Sequence, residues 1–214
     1  MLSTVGVIRK TLAAVGLATL VLAQSFPATA REQLSASGGK PSAPEGPFAE
    51  NFTFSDPPVP APSVGFETLQ GEPVTLADFE GQVVLVNFWA TWCAPCVEEM
   101  PSLERLHQAL VGEGFAVLAV SQDRGGSTAV APFLGRLDLQ QLPVYLDSMG
   151  VLARAFALKG LPTSFLIDRE GRVRAGLVGP AEWDSQAAMD FIRHYLGGEA
   201  GAPDGDADLT NTSG

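Results

Sequence analysis

The chain has 214 residues, of which 46% are hydrophobic and 8% aromatic, which is enough apolar surface for one core. Its formal net charge is −11 and its basic residues do not cluster, which argues against a nucleic-acid-binding protein. It contains only two cysteines, and they lie three residues apart. The composition predicts one folded domain, with or without appended segments.

The N-terminus has the layout of a secretory signal peptide. Arg9 and Lys10 precede an uncharged stretch, 11–23, and the small residues at 28–30 form a cleavage site. The uncharged stretch has 13 residues, fewer than the roughly 20 that span a bilayer. The alternative is that residues 1–30 remain attached as an N-terminal anchor. Both alternatives place the domain outside the cytoplasm, where paired cysteines form disulfides unless something keeps them reduced.

A proline-rich segment separates this N-terminus from the domain. Residues 31–62 hold seven prolines among Gly, Ser, Ala and Glu, without apolar periodicity, and are predicted to form a disordered linker. The folded domain is predicted over residues 63–197. The acidic, Gly/Ala-rich residues 198–214 are predicted to be a disordered tail.

The domain begins with a predicted hairpin, strand and helix. Short strand-like runs on both sides of Gln70-Gly71 predict the hairpin. The nearly continuous apolar run Val83–Trp89 predicts a central strand that is buried on both faces. Apolar positions spaced by three and four then predict a helix over 93–111, with Pro101 inside it.

The remaining elements predict the class of fold. The pattern predicts strands at 115–121, 143–146, 164–168 and 172–178 and helices at 129–137, 151–158 and 181–196. The last two strands form an antiparallel hairpin around a turn at 169–171. In the last helix, Trp183, Ala187, Phe191 and Tyr195 are expected to form one apolar stripe. This order predicts an α/β fold with a mixed central sheet flanked by helices on both faces.

The two cysteines lie where the predicted central strand gives way to a helix. At a helix start, unpaired backbone N–H groups and the helix dipole favour a thiolate. Cys93 is therefore predicted to be the attacking sulfur and Cys96, one turn further, the resolving one. A zinc site is the alternative at this spacing, but it needs two more ligands, and His107 and His194 are isolated in the sequence. No metal site is predicted.

Glu99 is the candidate proton-transfer residue. It follows Cys96 by three residues, so both side chains share a helical face that is otherwise apolar. Burial of a carboxylate raises its pKa. Glu99 is therefore predicted to exchange a proton with Cys96 when that thiol attacks. The alternative is a glutamate on the helix surface, which fits the neighbouring Glu98.

The string Trp-Cys-Ala-Pro-Cys-Val-Glu-Glu-Met-Pro at 92–101 resembles the TlpA/ResA/CcmG-like thiol-disulfide oxidoreductases of the thioredoxin superfamily, and the resemblance extends over roughly residues 64–196. It implies a thioredoxin-like fold, with residues 125–158 as an insertion between the first helix and a cis-proline loop. It further implies a periplasmic or inner-membrane-tethered protein-disulfide reductase that needs no cofactor. The implied partners are extracytoplasmic disulfide-containing proteins, in cytochrome c maturation or cytochrome oxidase copper-site assembly, and a membrane electron donor of the DsbD/CcdA type.

The same resemblance implies roles for individual residues. Glu99 is expected to be catalytic with the two cysteines. The loop Leu161-Pro162 is expected to contain a cis peptide bond and to face the dithiol, so that the Leu161 backbone pairs with an extended substrate segment. Independently of the resemblance, Pro95 lacks a backbone donor and fixes φ between the cysteines, so it is expected to help set the redox potential. Trp92 is expected to cover the disulfide as an exposed apolar contact for partners. Together with the loop, these two residues form the expected substrate-binding set.

Asn87 stands where cytoplasmic thioredoxins carry a buried aspartate near the second cysteine. An amide can form hydrogen bonds but cannot take up a proton, so this departure assigns proton transfer to Glu99. The alternative is that Asn87 is a polar residue satisfied by neighbouring backbone groups.

Three other functions compete with a reductase. A dithiol oxidase or isomerase would use the same residues at a higher reduction potential. A copper(I) delivery module would use two soft thiolates, but the sequence offers no third soft ligand beside them. A peroxiredoxin would place its nucleophile three residues after a threonine, with an arginine nearby, whereas Pro95 directly precedes Cys96.

Overall fold

The computed structural model describes residues 43–197. The predicted signal peptide or anchor (1–30), the first part of the predicted linker and the predicted tail (198–214) lie outside the described residues. Within residues 43–197, each helix is too short or too polar to cross a bilayer.

One sheet of eight strands organises the described part of the chain, in the order β1-β8-β7-β4-β5-β6-β2-β3. The strands are β1 Thr53–Pro60, β2 Phe66–Thr68, β3 Pro73–Val74, β4 Val83–Trp89, β5 Phe115–Ser121, β6 Val144–Leu146, β7 Thr163–Ile167 and β8 Arg172–Val178. The α-helices are α1 Ala94–Leu110, α2 Ser127–Leu137, α3 Val151–Ala155 and α4 Gln186–Leu196. Short 3-10 helices lie at Ala49–Asn51 and Leu76–Phe79.

Strand β4 is the centre of the sheet, and all its residues are buried, as the apolar run predicts. It pairs in parallel with β5 and antiparallel with β7, and β5 continues in parallel to β6. Side chains alternate along a strand. Leu85 and Trp89 therefore lie in the core that α1, α2 and α4 cover, and Val84 and Val86 lie in the core on the other face, with α3. By this alternation Asn87 faces α1.

The residues of the expected insertion form both a strand and helices. Residues 125–158 contain α2, β6 and α3. Strand β6 extends the sheet because it pairs with the carboxyl end of β5. Leu152 of α3 and Val130 of α2 lie in the two opposite cores.

The prediction of a disordered linker through residue 62 is wrong for the part that the structure describes. Strand β1 pairs antiparallel with β8 and forms one edge of the sheet. Just before it, Phe48 and Phe52 pack against Trp183 and Phe191. The prolines conceal this order in the sequence, although an edge strand tolerates residues that lack an N–H. The aromatic rings supply the apolar surface that a disordered linker lacks.

The predicted start of the last helix is also wrong. Helix α4 begins at Gln186, after Ser185, whose hydroxyl accepts a hydrogen bond from the Ala188 N–H as an N-cap. The segment 179–185 is a loop. Trp183 is buried within that loop, and on the helix it is Ala188 that is buried, while Ala187 is exposed.

Candidate active site

The two cysteines form a disulfide at the start of α1, with Cα atoms 5.3 Å apart. Strand β4 ends at Trp89, a short turn follows, and Cys93 is the N-cap residue of the helix. The Cys93 carbonyl accepts the first helical hydrogen bond, from the Val97 N–H. The first turn of α1 carries no acidic residue, so no carboxylate there counteracts the stabilisation that the positive end of the helix dipole gives to a thiolate.

The two cysteine residues differ in exposure. Cys93 is 7% exposed and Cys96 is 0% exposed, whereas the neighbouring Trp92 is 70% exposed. Pro95 is also exposed, so the residue directly before each cysteine is accessible to solvent. A sulfur of another protein can therefore reach Cys93 more readily than Cys96.

Glu99 is buried on the inner face of α1, as its spacing from Cys96 predicts. Its carboxylate accepts hydrogen bonds from Asn87 Nδ2 (2.8 Å), the Ala181 backbone N–H (2.9 Å) and Trp183 Nε1 (3.2 Å). Burial raises the pKa of Glu99 above its ordinary value, and the hydrogen bonds from Ala181, Asn87 and Trp183 act in the opposite direction. The prediction of a desolvated carboxylate is confirmed, and the surface position is excluded.

Asn87 is fully buried and bonded to side chains rather than to neighbouring backbone. Its Nδ2 donates to Glu99 and to Ser164 Oγ, which is 3.0 Å away on β7. Its Oδ1 has no hydrogen-bond partner within the described part of the chain. Ser164 and Trp183 were missed at the sequence level because they lie 77 residues from Asn87 and 84 residues from Glu99, where no local spacing can connect them.

The Leu161–Pro162 peptide bond is cis, as expected. Thr163, the next residue, pairs with Phe88 near the carboxyl end of β4. The loop therefore lies at the end of β4 from which the chain continues to the disulfide. The Pro162 carbonyl accepts a hydrogen bond from the Gly179 N–H (2.9 Å). Pro162 is buried and Leu161 is half-buried.

A second carboxylate near the disulfide was also missed. Asp123 is buried and accepts hydrogen bonds from the backbone N–H and the hydroxyl of Thr91, two residues before Cys93. Across residues 43–197, no three or more His, Cys, Asp or Glu side chains come together closely enough to hold a metal ion.

Comparison with known proteins agrees with this geometry. Residues 58–176 match the model of the AhpC/TSA family. The chain is 38% identical over 113 residues to the thiol-disulfide oxidoreductase ResA of Bacillus thuringiensis subsp. konkukian, a match that covers 53% of this chain and 64% of that relative. The match thus spans slightly less than two thirds of that relative's length.

Two solved structures from Chlorobium tepidum are similar as well. A thiol:disulfide interchange protein DsbE has 34% identity and a TM-score of 0.59 over 65% of this chain and 96% of its own. A thiol:disulfide interchange protein of the thioredoxin family has 31% identity and a TM-score of 0.55 over 65% of this chain and 97% of its own.

Proposed function

Since the chain belongs to the AhpC/TSA family and has a thioredoxin-like fold, we propose that it is an extracytoplasmic thiol-disulfide oxidoreductase that reduces disulfides of partner proteins. The observation that carries this proposal is the disulfide at the start of α1, with Cys93 as its more exposed residue. The similarity to ResA and DsbE, which are named thiol-disulfide oxidoreductase and interchange protein, supports the same chemistry.

In the first step, the thiolate of Cys93 in the reduced protein attacks one sulfur of a partner disulfide. A bond forms between Cys93 and that sulfur, and the partner's other sulfur leaves as a thiolate that takes up a proton. The exposed Trp92 and Pro95 provide the surface for the partner. The Leu161 backbone pairs with an extended partner segment, since the Leu161-Pro162 loop lies at the same edge of the sheet.

In the second step, Cys96 attacks the mixed disulfide. Its thiol transfers a proton to Glu99, its thiolate bonds to the Cys93 sulfur, and the bond between Cys93 and the partner breaks, so that the partner leaves as a second thiolate. Solvent protonates that thiolate, and Glu99 then releases its proton to solvent. The partner gains two electrons and two protons, and the protein returns to the disulfide form. The raised pKa of Glu99 suits this task, because burial favours the neutral acid that accepting the proton produces. Asn87 and Trp183 orient the carboxylate.

A membrane electron donor of the DsbD/CcdA type returns the disulfide to the dithiol. The substrates are extracytoplasmic proteins, in cytochrome c maturation or cytochrome oxidase copper-site assembly, and the N-terminal segment acts as a signal peptide or an anchor. This part of the proposal depends on the resemblance at 92–101 and on the N-terminal pattern at 11–23.

The reduction potential of the Cys93–Cys96 pair tests the direction of electron flow. The full-length protein is equilibrated with glutathione redox buffers and the fractions of dithiol and disulfide are measured. We expect a potential at or below the roughly −200 to −230 mV of glutaredoxins. A value near the roughly −120 mV of a strong oxidant would assign the protein to dithiol oxidation instead. Reduction of insulin disulfides, with Cys93→Ser as the inactive control, tests the reaction itself.

A further inference from the structure

We propose that Asp123 is a positioning residue that holds the turn before Cys93 in the geometry needed for attack on a partner disulfide. The proposal rests on the proposed function, because it assigns a task within the same reaction. It adds a residue that lies outside the Cys-X-X-Cys motif and its helix.

The sheet register explains why Asp123 meets this turn. Trp89 ends β4 and is paired with Ser121, which ends the parallel strand β5. Two parallel strands that are paired end on the same side of the sheet, so the segments that follow them start close together. Thr91 lies two residues beyond Trp89 and Asp123 two residues beyond Ser121, so these two side chains face each other across the strand ends.

The carboxylate of Asp123 forms hydrogen bonds to Thr91 through both of its oxygens. Oδ2 accepts from the Thr91 backbone N–H (2.9 Å), and Oδ1 accepts from the Thr91 hydroxyl (2.6 Å). Ser121 Oγ donates to the same carboxylate (2.8 Å) and accepts from the Asp123 N–H (3.1 Å), which fixes the carboxylate in turn. Among the described residues, no lysine or arginine forms an ion pair with Asp123, so its role is to accept these hydrogen bonds.

These hydrogen bonds restrict the position that Cys93 can take. Two residues of chain span at most about 7 Å, so fixing Thr91 leaves Cys93 only a small range of positions. The other end of the turn is held by the helix and by the hydrogen bond from the Cys93 N–H to the Ala90 carbonyl (3.1 Å). A thiolate must approach a disulfide in line with the breaking bond, and a misplacement of about 1 Å can reduce a rate about 100-fold.

A purely structural role is the competing interpretation, and the chain contains a matched control for it. Asp147 follows β6 as Asp123 follows β5, and the two are equally buried, at 4% and 5% exposure. The Asp147 carboxylate accepts from the backbone N–H groups of Val151, Leu152 and Ala153 at the start of α3. It forms no hydrogen bond to the turn before Cys93.

The test compares Thr91→Val, Thr91→Ser, Asp123→Asn and Asp147→Asn in the reduced full-length protein. Second-order rate constants with insulin disulfide are measured from pH 5 to 10, together with the free energy of unfolding. The plateau rate at high pH, where Cys93 is fully ionised, reports geometry. The midpoint of the profile reports charge. Iodoacetamide, which imposes weaker demands on orientation, is the comparison reagent.

We expect the plateau rate with insulin to fall about tenfold in Asp123→Asn and a few-fold in Thr91→Val, with a smaller loss toward iodoacetamide. Thr91→Ser keeps the hydroxyl, so its plateau rate is expected to equal that of the wild-type protein. Thr91→Val changes no charge, so it leaves the midpoint of the profile in place, and a lower plateau in that variant reports geometry alone. Asp147→Asn lowers stability but leaves the plateau unchanged.

Plateau rates within twofold of wild type in both Thr91→Val and Asp123→Asn would overturn the proposal and leave Asp123 a stabilising residue only. If Asp123→Asn fails to fold, the comparison of Thr91→Val with Thr91→Ser decides. Failure of the proposed function is distinguishable, because the wild-type protein would then leave insulin unreduced, or Cys93→Ser would reduce it equally fast.

Discussion

Replacement of Glu99 by glutamine tests the proton-transfer role most directly. Glutamine keeps the shape of the side chain but offers one acceptor oxygen where the carboxylate offers two. The carboxylate accepts from Asn87 on one oxygen and from Ala181 and Trp183 on the other. The new amide group must therefore face at least one N–H donor, which costs about 1–3 kcal/mol in the free energy of unfolding.

The kinetic effect is expected in the second step of the reaction. Cys93 is linked to thionitrobenzoate as a mixed disulfide, and release of the chromophore by Cys96 is followed by absorbance across pH. We expect release to be about 100-fold slower in Glu99→Gln, the lower end of what general acid–base catalysis contributes. The wild-type profile shows an inflection at the raised pKa of Glu99, and the variant loses it.

The pH dependence of the free energy of unfolding should also reflect the raised pKa of Glu99. The folded-state pKa of Glu99 is raised, so between the unfolded value and the folded value the native state binds more protons than the unfolded state. Wild-type stability therefore loses a contribution as pH rises through this window, and Glu99→Gln lacks that loss. Glu98→Gln, at the exposed neighbouring position, is the control. An unchanged release rate together with an unchanged pH profile in Glu99→Gln would refute a proton-transfer role.

Three further outcomes are expected. Trp183→Phe removes one donor to Glu99, so the inflection in chromophore release should move to higher pH while the fold is kept; an unmoved inflection contradicts the orienting role. Cys96→Ser should accumulate a covalent adduct between Cys93 and insulin, seen by mass spectrometry, and Cys93→Ser should not; equal trapping by both would reverse the assigned order of the sulfurs. Phe52→Ala should lower the free energy of unfolding by about 3–5 kcal/mol, because its ring stacks 4.4 Å from that of Phe191. Val59→Ala, at a half-exposed position on β1, is its control, and similar small losses in both would mean that this segment is not part of the core.

The sequence by itself was enough to predict the pair of cysteines that the structure joins in a disulfide, and the elements that present them. The central strand, the first helix and the position of Cys93 between them are local properties, since a continuous apolar run and a 3.6-residue period arise from side-chain direction alone. The same periodicity placed Glu99 on the inner face beside Cys96, and the structure confirms that Glu99 is buried.

The partners of these residues were decided by tertiary structure. Asn87 and Trp183 meet Glu99, and Ser164 meets Asn87, because β4, β7 and the loop before α4 converge on one face of the sheet. Asp123 meets Thr91 only because β4 and β5 are paired in register. The N-terminal edge strand was misjudged for a similar reason, since its prolines are visible in the sequence but the rings that Phe48 and Phe52 pack against are not adjacent to it. A sequence shows periodicity and composition within one element, whereas hydrogen bonds and burial between distant elements exist only once the chain has folded.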